Sequence, residues 1–481
     1  MPDSHTPESP AGASAGQPAP LYVIGLGLPV DGEGAASRRG FFPCPELAAH
    51  PVLAAAEVLV GGKAQLAAFA DHPAEKLVVG ADMAALYERL QANRRAGRIQ
   101  VVLCNGDPLF FGLGARLAER FGPEALRVLP GTSSLQAAAA FLGLPWENVT
   151  PVSLHGRSSR LPLAHALIGT RAGGGPVFLL TDAANSPAAV AAFMKERGHD
   201  RYRLHLMENL HLTPEGVRAE RYTSLSVDQA LSLAPEDSGE KIPRQLVMLL
   251  EPDRTESGGQ VPGWPFGLPD ASLATENNLL TKAPARAAGL AALGIEAGHT
   301  VWDLGAGSGA VSVEAARLAW RGLVVAAEAK ADRIRLIEEN RRRFGAANLE
   351  TLHGTLPGAL DVCCERFPRP DRIFIGGGLG GGSGKGFGGE PGKEGAAGAG
   401  ESDAGRILHK AWEALLPGGR LVIHCILLST LEFVRDRLTR LGASVDVACI
   451  QASLSVPLAG DCRLQAQNPV FLVSARKGEG M

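Results

Sequence analysis

The stretch Val301-Trp302-Asp303-Leu304-Gly305-Ala306-Gly307-Ser308-Gly309 constrains the fold of this chain more than any other. Apolar residues lead into it, and a helix-like run, Val311-Ser312-Val313-Glu314-Ala315-Ala316-Arg317-Leu318-Ala319, leaves it. Strand, glycine-rich turn and helix in that order make the first βα unit of a doubly wound nucleotide-binding sheet. The turn needs backbone angles that a Cβ disfavours, and a ligand must approach the main chain closely, so glycine serves on both counts. Glu328 ends the next apolar run, Gly322-Leu323-Val324-Val325-Ala326-Ala327. From that strand end its carboxylate can accept hydrogen bonds from both ribose hydroxyls of a nucleoside. Asp303 either faces the cationic end of the ligand or holds the turn. A pyrophosphate binder spaces its glycines G-x-G-x-x-G, whereas these read G-x-G-x-G. That spacing favours S-adenosylmethionine over a dinucleotide.

A chain of 481 residues accommodates two to four domains. Its net charge of −3 and the lack of a clustered basic face argue against a nucleic-acid partner. The seven cysteines are scattered without a CxxC pair, which fits a reducing compartment and argues against a zinc or iron–sulfur site, so no metal is expected. The neighbours Cys363 and Cys364 read as buried small apolar side chains. Residues 1–20 are Ser, Pro, Gly and Ala with acids, and lack both a basic start and an apolar core. They predict a disordered tail rather than a signal peptide. No apolar run reaches membrane-spanning length, so a soluble cytoplasmic protein without a membrane partner is expected.

In the first half, short buried strands alternate with helical runs. Strands are expected at Leu21-Tyr22-Val23-Ile24, Glu57-Val58-Leu59-Val60, Ile99-Gln100-Val101-Val102-Leu103-Cys104 and Leu126-Arg127-Val128-Leu129. Helices are expected near residues 45–56 and 63–70, up to Arg120, and through the alanine run ending at Leu142. Such alternation predicts a parallel-rich α/β domain with ligands at the carboxyl ends of its strands. Two strand-end loops, 105–108 and 130–134, offer glycine main chain, hydroxyls and helix N-termini to one cleft. Ordinary turn and N-cap chemistry uses the same residues, and spacing alone leaves the two readings level.

The series Val23-Ile24-Gly25-Leu26-Gly27, Gly106-Asp107-Pro108-Leu109-Phe110-Phe111-Gly112 and Pro130-Gly131-Thr132-Ser133-Ser134 resembles the tetrapyrrole methylase family. Phe178-Leu179-Leu180-Thr181-Asp182 and Met207-Glu208-Asn209-Leu210 look like the matching elements of that family's second lobe. Within the family the likeness is to corrin methylases acting at carbon 5 of precorrin-6Y. It implies two α/β lobes with S-adenosylmethionine in the cleft between them, and a homodimer. Carried over by position, Gly25, Gly106, Asp107, Thr132, Ser133 and Thr181 would line the methyl-donor site. Residues 29–43, with Arg38, Arg39, Phe41 and Phe42, exceed the family's usual first loop, and read either as a neutral surface insertion or as a segment that reshapes the tetrapyrrole entrance.

Residues 252–269 are polar and rich in Pro and Gly, a linker by composition, so each side is expected to fold alone. The segment Leu279-Leu280-Thr281-Lys282-Ala283-Pro284-Ala285-Arg286, taken with the opening motif, resembles class I corrin methyltransferases that methylate carbon 15 and remove a carboxyl group. That resemblance implies that Thr281 and Lys282 cross the donor pocket, with Lys282 placing substrate. The family usually has an acid where Pro284 stands. It also implies that Asn348-Leu349-Glu350-Thr351-Leu352-His353-Gly354-Thr355 is a strand whose end loop, at Gly354, reads the adenine edge. Pro370-Asp371-Arg372-Ile373-Phe374-Ile375 and Arg420-Leu421-Val422-Ile423 are further strands, and Gln467-Asn468-Pro469-Val470-Phe471-Leu472-Val473 gives a closing antiparallel one. Residues 378–402 are a low-complexity Gly-rich insert.

The expected fold is therefore α/β. An N-terminal two-lobed tetrapyrrole methylase domain (21–251, carbon 5) precedes a Rossmann-like class I methyltransferase domain (270–477, carbon 15 and decarboxylation). The two resemblances imply a bifunctional corrin-ring methyltransferase of cobalamin biosynthesis that converts precorrin-6Y to precorrin-8X. Its corrinoid substrate would be its small-molecule partner, and the chain would self-associate. Two alternatives stand beside it: the same reactions on cobalt-loaded intermediates, and a scaffold that senses S-adenosylmethionine without turnover. Methyl transfer from a sulfonium to an electron-rich carbon needs mostly proximity and orientation, consistent with a sequence that shows no obvious catalytic dyad.

Overall fold

Two apolar runs, Leu21–Gly25 (β1) and Gln100–Cys104 (β4), pair in parallel at the centre of the first sheet. Their burial, complete but for half-buried Tyr22, is what a parallel strand covered on both faces requires. Val58–Gly61 (β2), Glu75–Val78 (β3) and Leu126–Leu129 (β5) complete an all-parallel sheet in the order β3-β2-β4-β1-β5. Successive side chains enter opposite cores. Ile24, Leu59, Val101 and Leu103 pack on one face, and Val23, Val60, Val102 and Leu117 on the other. This computed structural model describes residues 18–30, 50–171, 174–233, 246–253, 267–276, 280–376, 379 and 402–479.

A second sheet follows, formed by Thr150–Ser153 (β6), Val177–Leu180 (β7), Tyr202–Glu208 (β8), Arg221–Ser226 (β11) and Leu246–Pro252 (β12) in the order β11-β8-β12-β7-β6. Strands β6 and β7 are parallel, whereas β12 runs against β7 and β11 against β8. A short hairpin, His211–Thr213 (β9) with Gly216–Arg218 (β10), stands beside it. Phe178, Met207, Val247 and Leu249 of this sheet share a core with the Ser134–Leu142 helix.

The chain divides into two compact units with a boundary between Glu251 and Pro252. The second unit also takes in Arg157–Gly174 and Ala189–Tyr202. Within it, the buried Arg197 guanidinium donates to the carbonyls of Ala347 (2.7 Å) and Leu349 (3.1 Å) and pairs with Glu350 at 2.9 Å. Arg341 donates to Glu196 at 2.8 Å.

The second unit is built on a seven-stranded sheet in the order β15-β14-β13-β16-β17-β21-β18. Its members are Thr300–Leu304 (β13), Leu323–Glu328 (β14), Leu349–His353 (β15), Arg372–Ile375 (β16), Arg420–Cys425 (β17), Ser444–Ile450 (β18) and Val470–Arg476 (β21). Strands β13 to β17 are parallel; β21 lies antiparallel between β17 and β18. Cores cover both faces, one around Trp302, Val325 and Leu421 and the other around Val301, Val324 and Phe374. The architecture is α/β, with two five-stranded sheets in the first part and a seven-stranded, Rossmann-like sheet in the second.

Several expectations need adjustment. Cys363 is buried, but Cys364 is exposed, because adjacent residues on the Gly358–Arg366 helix face different directions. The last strand is interior rather than closing the sheet, since β18 pairs outside it. The hairpin Ser453–Leu458 (β19) with Asp461–Ala466 (β20) was not foreseen, although Leu454, Val456 and Leu458 and then Cys462, Leu464 and Ala466 stand at alternate positions; the alternation buries little, since almost all of these residues are exposed. The helix near 63–70 ends at Ala67, and the one expected over 45–56 is described only as Pro51–Ala54. The 1–17 part of the tail, residues 31–43 of the first-loop insertion, 254–266 of the linker, and most of the Gly-rich insert lie outside the described residues.

Candidate functional site

In the first unit, three loops leave the carboxyl ends of the adjacent strands β1, β4 and β5, and their main chains touch. A Cβ on Gly25 would sit 2.4 Å from the Gly106 carbonyl oxygen and 2.6 Å from the Gly131 nitrogen. Glycine is therefore compulsory at this crossing. Gly106, at φ +59°, donates its N–H to the Gly27 carbonyl at 2.9 Å. Asp107 turns its Oδ1 to the Leu109 N–H at 2.8 Å, fixing the start of the next loop. Thr132 lies against Gly27, where an added Cβ would be 3.7 Å from the Thr132 nitrogen. Ser133 closes a capping box on the Ser134–Leu142 helix: its hydroxyl accepts the Gln136 N–H at 3.2 Å, and Gln136 Oε1 accepts the Ser133 N–H at 2.8 Å. Thus Gly25, Gly106, Asp107, Thr132 and Ser133 share one edge of the first sheet. Thr181 follows β7 on the second sheet, and its hydroxyl donates to the Leu246 carbonyl at 3.4 Å. Phe110 packs on Phe178 of that strand, with ring centroids 5.9 Å apart.

In the second unit, Gly305, Gly307 and Gly309 adopt φ of +74°, +61° and +76°. Gly305 and Ala306 both donate to the Ala327 carbonyl, tying the turn to the neighbouring strand. Among the described residues nothing lies within 4 Å of a Cβ built on Gly307, so none of them closes over this main chain. Glu328 is buried at the end of β14. Its Oε2 accepts the Gly307 N–H at 2.8 Å, and its Oε1 accepts the N–H groups of Ala329 and Lys330 at 3.0 Å each. Its own carbonyl accepts the Gly354 N–H at 3.0 Å. Asp303 is fully buried and takes a 2.5 Å hydrogen bond from the Ser312 hydroxyl, so it holds the turn to its following helix. Burial pushes its carboxyl up to about 7, opposed by the Ser312 hydrogen bond and helped by the nearby Glu328 charge.

Thr281 and Lys282 precede the Ala283–Leu293 helix, for which Lys282 is the extended N-cap residue. The Thr281 hydroxyl is 3.8 Å from a Cβ built on Gly376, at the end of β16. Pro284 suits the first turn of a helix, where its missing N–H is no loss. The acid missing at that position arrives from elsewhere in the chain: Asp270 accepts the Ala283 N–H at 3.1 Å. Asp303, Gly305, Gly307, Gly309, Glu328 and Gly354 therefore share one strand-end cluster, and Thr281 reaches the same edge of the sheet.

The sequence reading missed the residues that brace this edge. Fully buried Arg286 pairs with Glu314 at 2.6 Å and Asp270 at 3.0 Å, and donates to the carbonyls of Thr281 and Leu268. Glu314 also accepts the N–H groups of Gly267 and Leu268. Opposite charges inside two alanine-rich helical runs were the available signal. Asn340, wholly buried, donates to the Ser308 carbonyl at 2.9 Å and grips the N–H and carbonyl of Ala274, joining the glycine loop to the segment before it. Nothing in its helical context marks it. The Ser308 hydroxyl is buried and has no hydrogen-bond partner among the described residues.

Comparison with known proteins adds two matches on separate stretches. A family model described as tetrapyrrole (corrin/porphyrin) methylases matches residues 47–221, and one described as a precorrin methyltransferase domain matches residues 273–383. A precorrin-6Y C(5,15)-methyltransferase (decarboxylating) of Sinorhizobium sp is 30% identical over 385 residues, 80% of this chain and 81% of that protein. The cobalt-precorrin-7 C(5)-methyltransferase of Salmonella typhimurium is 33% identical over 205 residues, 43% of this chain and 96% of the relative. The cobalt-precorrin-6B C(15)-methyltransferase (decarboxylating) of the same organism is 30% identical over 205 residues, 42% of this chain and 92% of the relative.

Proposed function

The chain belongs to the decarboxylating precorrin-6Y C(5,15)-methyltransferases, and from that membership we propose how its two parts divide the reaction. The enzyme methylates carbons 5 and 15 of precorrin-6Y and removes the carboxyl group of the ring C acetate arm, yielding precorrin-8X. Residues 21–251 carry the carbon 5 methylation, and residues 270–477 carry the carbon 15 methylation and the decarboxylation. The observation that carries this division is the pair of different family matches, 47–221 and 273–383, each over a sheet with a glycine-rich strand-end cluster. The metal-free substrate is preferred because the relative that matches 80% of this chain is named for it, whereas the cobalt-named relatives each match less than half. In this reading the enzyme is a cytoplasmic homo-oligomer. Among the described residues no helix is long and apolar enough to cross a membrane.

S-adenosylmethionine is the methyl donor assigned to each part. In the second unit the residues fit it: among the described residues nothing covers the Gly307 main chain and the buried Ser308 hydroxyl has no partner, and Glu328 keeps acceptor capacity beyond its main-chain bonds. When bound, this donor supplies an electrophilic methyl group on a sulfonium. The macrocycle's electron-rich carbon is the nucleophile, so the chain needs no strong base at the transfer step. Its residues hold donor and acceptor in line, an effect worth up to about 7–11 kcal/mol. For decarboxylation, the substrate's own protonated imine system takes the electron pair released from the acetate carbon. The protein places that arm and excludes water from its carboxylate.

The test uses the full chain. Wild-type protein given precorrin-6Y and labelled donor should form a product with two methyl groups gained and one carbon dioxide lost. Glu328→Ala should stop at carbon 5 methylation. Gly106→Ala, which places a methyl group at φ +59° and 3.5 Å from the Thr132 carbonyl, should impair carbon 5 methylation and spare decarboxylation. Loss of carbon dioxide that survives Glu328→Ala and vanishes with Gly106→Ala would reverse the assignment.

A further inference from the structure

The first unit holds a cavity of about 350 Å³ away from the glycine crossing, lined by Val79, Met83, Phe111, Leu113 and Arg116 among others. It opens at the carboxyl ends of β3 and β4, the same edge of the parallel sheet that carries Gly25, Gly106 and Gly131. Its wall is apolar except for one guanidinium. Some arginines of this unit are tied to protein groups, Arg89 and Arg98 to Glu75, Arg94 to the Ala19 carbonyl, and Arg127 to the carbonyls of Glu124 and Leu126. Among the described residues Arg95 and Arg120 are not, but neither lines the cavity. Arg116, exposed on the Leu113–Phe121 helix, has no hydrogen-bond or ion-pair partner among the described residues. The nearby acids are turned elsewhere. Asp82 caps the Met83–Arg95 helix through the Ala85 N–H, and Asp107 accepts the Leu109 N–H.

The rim is held in a costly conformation. Phe111 has φ +53°, a region where a bulky residue costs on the order of 1–3 kcal/mol and persists only when its surroundings impose it. Its surroundings do. A Cβ on Gly112 or Gly114 would sit 2.5 or 2.7 Å from the Pro108 carbonyl oxygen, so the loop is wound tightly on Pro108. The Phe110 N–H donates to the Asp107 carbonyl at 3.2 Å. The result is an aromatic ring left 47% exposed at the mouth of a cavity with a free guanidinium. An apolar wall, an aromatic rim and one unpaired cation match a flat, largely apolar ligand edge that carries a carboxylate.

We propose that this cavity receives a carboxylate-bearing arm of the macrocyclic substrate, with Arg116 as its counter-ion and Phe111 against the ring edge. The proposal rests on the first part acting on a corrinoid with free carboxylates. It adds the place where that substrate is gripped during carbon 5 methylation. Arg116 binds and orients there; it has no part in the methyl transfer itself.

The experiment measures binding of precorrin-6Y and of its fully methyl-esterified form to full-length wild type, Arg116→Ala and Arg116→Lys, with carbon 5 methylation followed in parallel. The substitution Arg116→Ala should weaken binding of the acid, and raise its KM, about tenfold, the scale of one charge-assisted hydrogen bond. The ester should bind wild type and Arg116→Ala equally, and Arg116→Lys should recover part of the loss, since it restores the charge without the planar fork. Affinity for S-adenosylhomocysteine should stay unchanged. Equal effects of Arg116→Ala on acid and ester, no effect on either, or a loss of donor affinity would each overturn the proposal. A wild type that binds the acid but never methylates carbon 5 would instead count against the functional reading.

Discussion

Glu328 offers the most direct test of the second donor site, because its hydrogen bonds limit what it can still do. A carboxylate has about four lone-pair positions. Three are engaged: Oε1 holds the N–H groups of Ala329 and Lys330, and Oε2 holds that of Gly307. One position remains, on Oε2. The sequence alone allowed two ribose hydroxyls to be bridged. With the main-chain bonds intact, Glu328 can accept only one. Glu328→Ala should therefore cost one charge-assisted hydrogen bond to the ligand, roughly 1.5–3 kcal/mol, or about 10- to 150-fold in affinity. It also releases Gly307, so the glycine loop loses an anchor, and the measured loss should fall toward the upper end. Glu328→Gln keeps the shape but cannot accept at both former oxygens, and should lie between the two. Calorimetry with S-adenosylhomocysteine on the full chain should resolve two sites, one weakened by Glu328→Ala and one unaffected. A second-site affinity within about twofold of wild type would show that the carboxylate only braces the loop.

Other perturbations read separate parts of the structure. Asp303 has a folded pKa of about 7, well above its ordinary 3.8, so the wild type loses stability as pH rises from about 4 to 7. Asp303→Asn should remove up to about 4 kcal/mol of that slope, seen as a gain over wild type at pH 7.5 relative to pH 4.5 in chemical denaturation. A parallel pH profile in both proteins would contradict it. His424 is buried, with neither ring nitrogen partnered among the described residues, and burial pushes it down to about 4. Its contribution is thus lost as pH falls from about 6.5 toward 4, and His424→Leu should flatten that limb by roughly 3 kcal/mol in the same assay. Arg286→Met leaves the buried Glu314 charge without its cation, held only by the Gly267 and Leu268 N–H groups, and removes the donor to the Thr281 carbonyl; it should destabilise by about 3–5 kcal/mol. Adding Glu314→Leu should recover part of this in a double-mutant cycle, because the uncompensated charge is then gone.

Much of the frame was legible from sequence because the responsible forces are local. The short, largely apolar runs at Leu21–Gly25, Gln100–Cys104 and Leu323–Glu328 read as buried strands by their length, and the glycines after the first two, Gly27 and Gly106, as strand-end turns. Glu75–Val78 was missed because its alternating exposure reflects an edge position, which depends on what pairs beside it. At the sites, glycine positions were readable and the use of polar side chains was not. Ser133 appears in a motif expected to line the donor site, yet its hydroxyl is engaged in a helix cap. Asp303 had two readings, and only the position of Ser312, nine residues later, selects between them. Asn340 and Arg286 act through partners distant in sequence, at Ala274, Ser308 and Asp270, and no local pattern encodes such closures.

The two clusters use glycine for different physical reasons, and this bears on how the parts should be separated in experiment. At Gly25 and Gly131 the restriction is steric, since main chains from three strands occupy the space of a side chain. At Gly305 and Gly307 it is conformational: the turn runs through positive φ, and a carboxylate from the next strand fixes it. Single substitutions can therefore disable either cluster by a local route. Cutting the chain is a poorer instrument, although the polar stretch after Glu251 invites it. The second unit includes Arg157–Gly174 and Ala189–Tyr202. A fragment beginning near Gly267 would leave the Ala347 and Leu349 carbonyls without Arg197, and Arg341 without Glu196. Buried polar groups that lose a partner carry the full desolvation cost, on the order of 1–3 kcal/mol each. Lost activity in such a fragment would then report lost stability as readily as lost chemistry, whereas Glu328→Ala in the full chain leaves those contacts in place and confines its structural cost to the glycine loop that Glu328 braces.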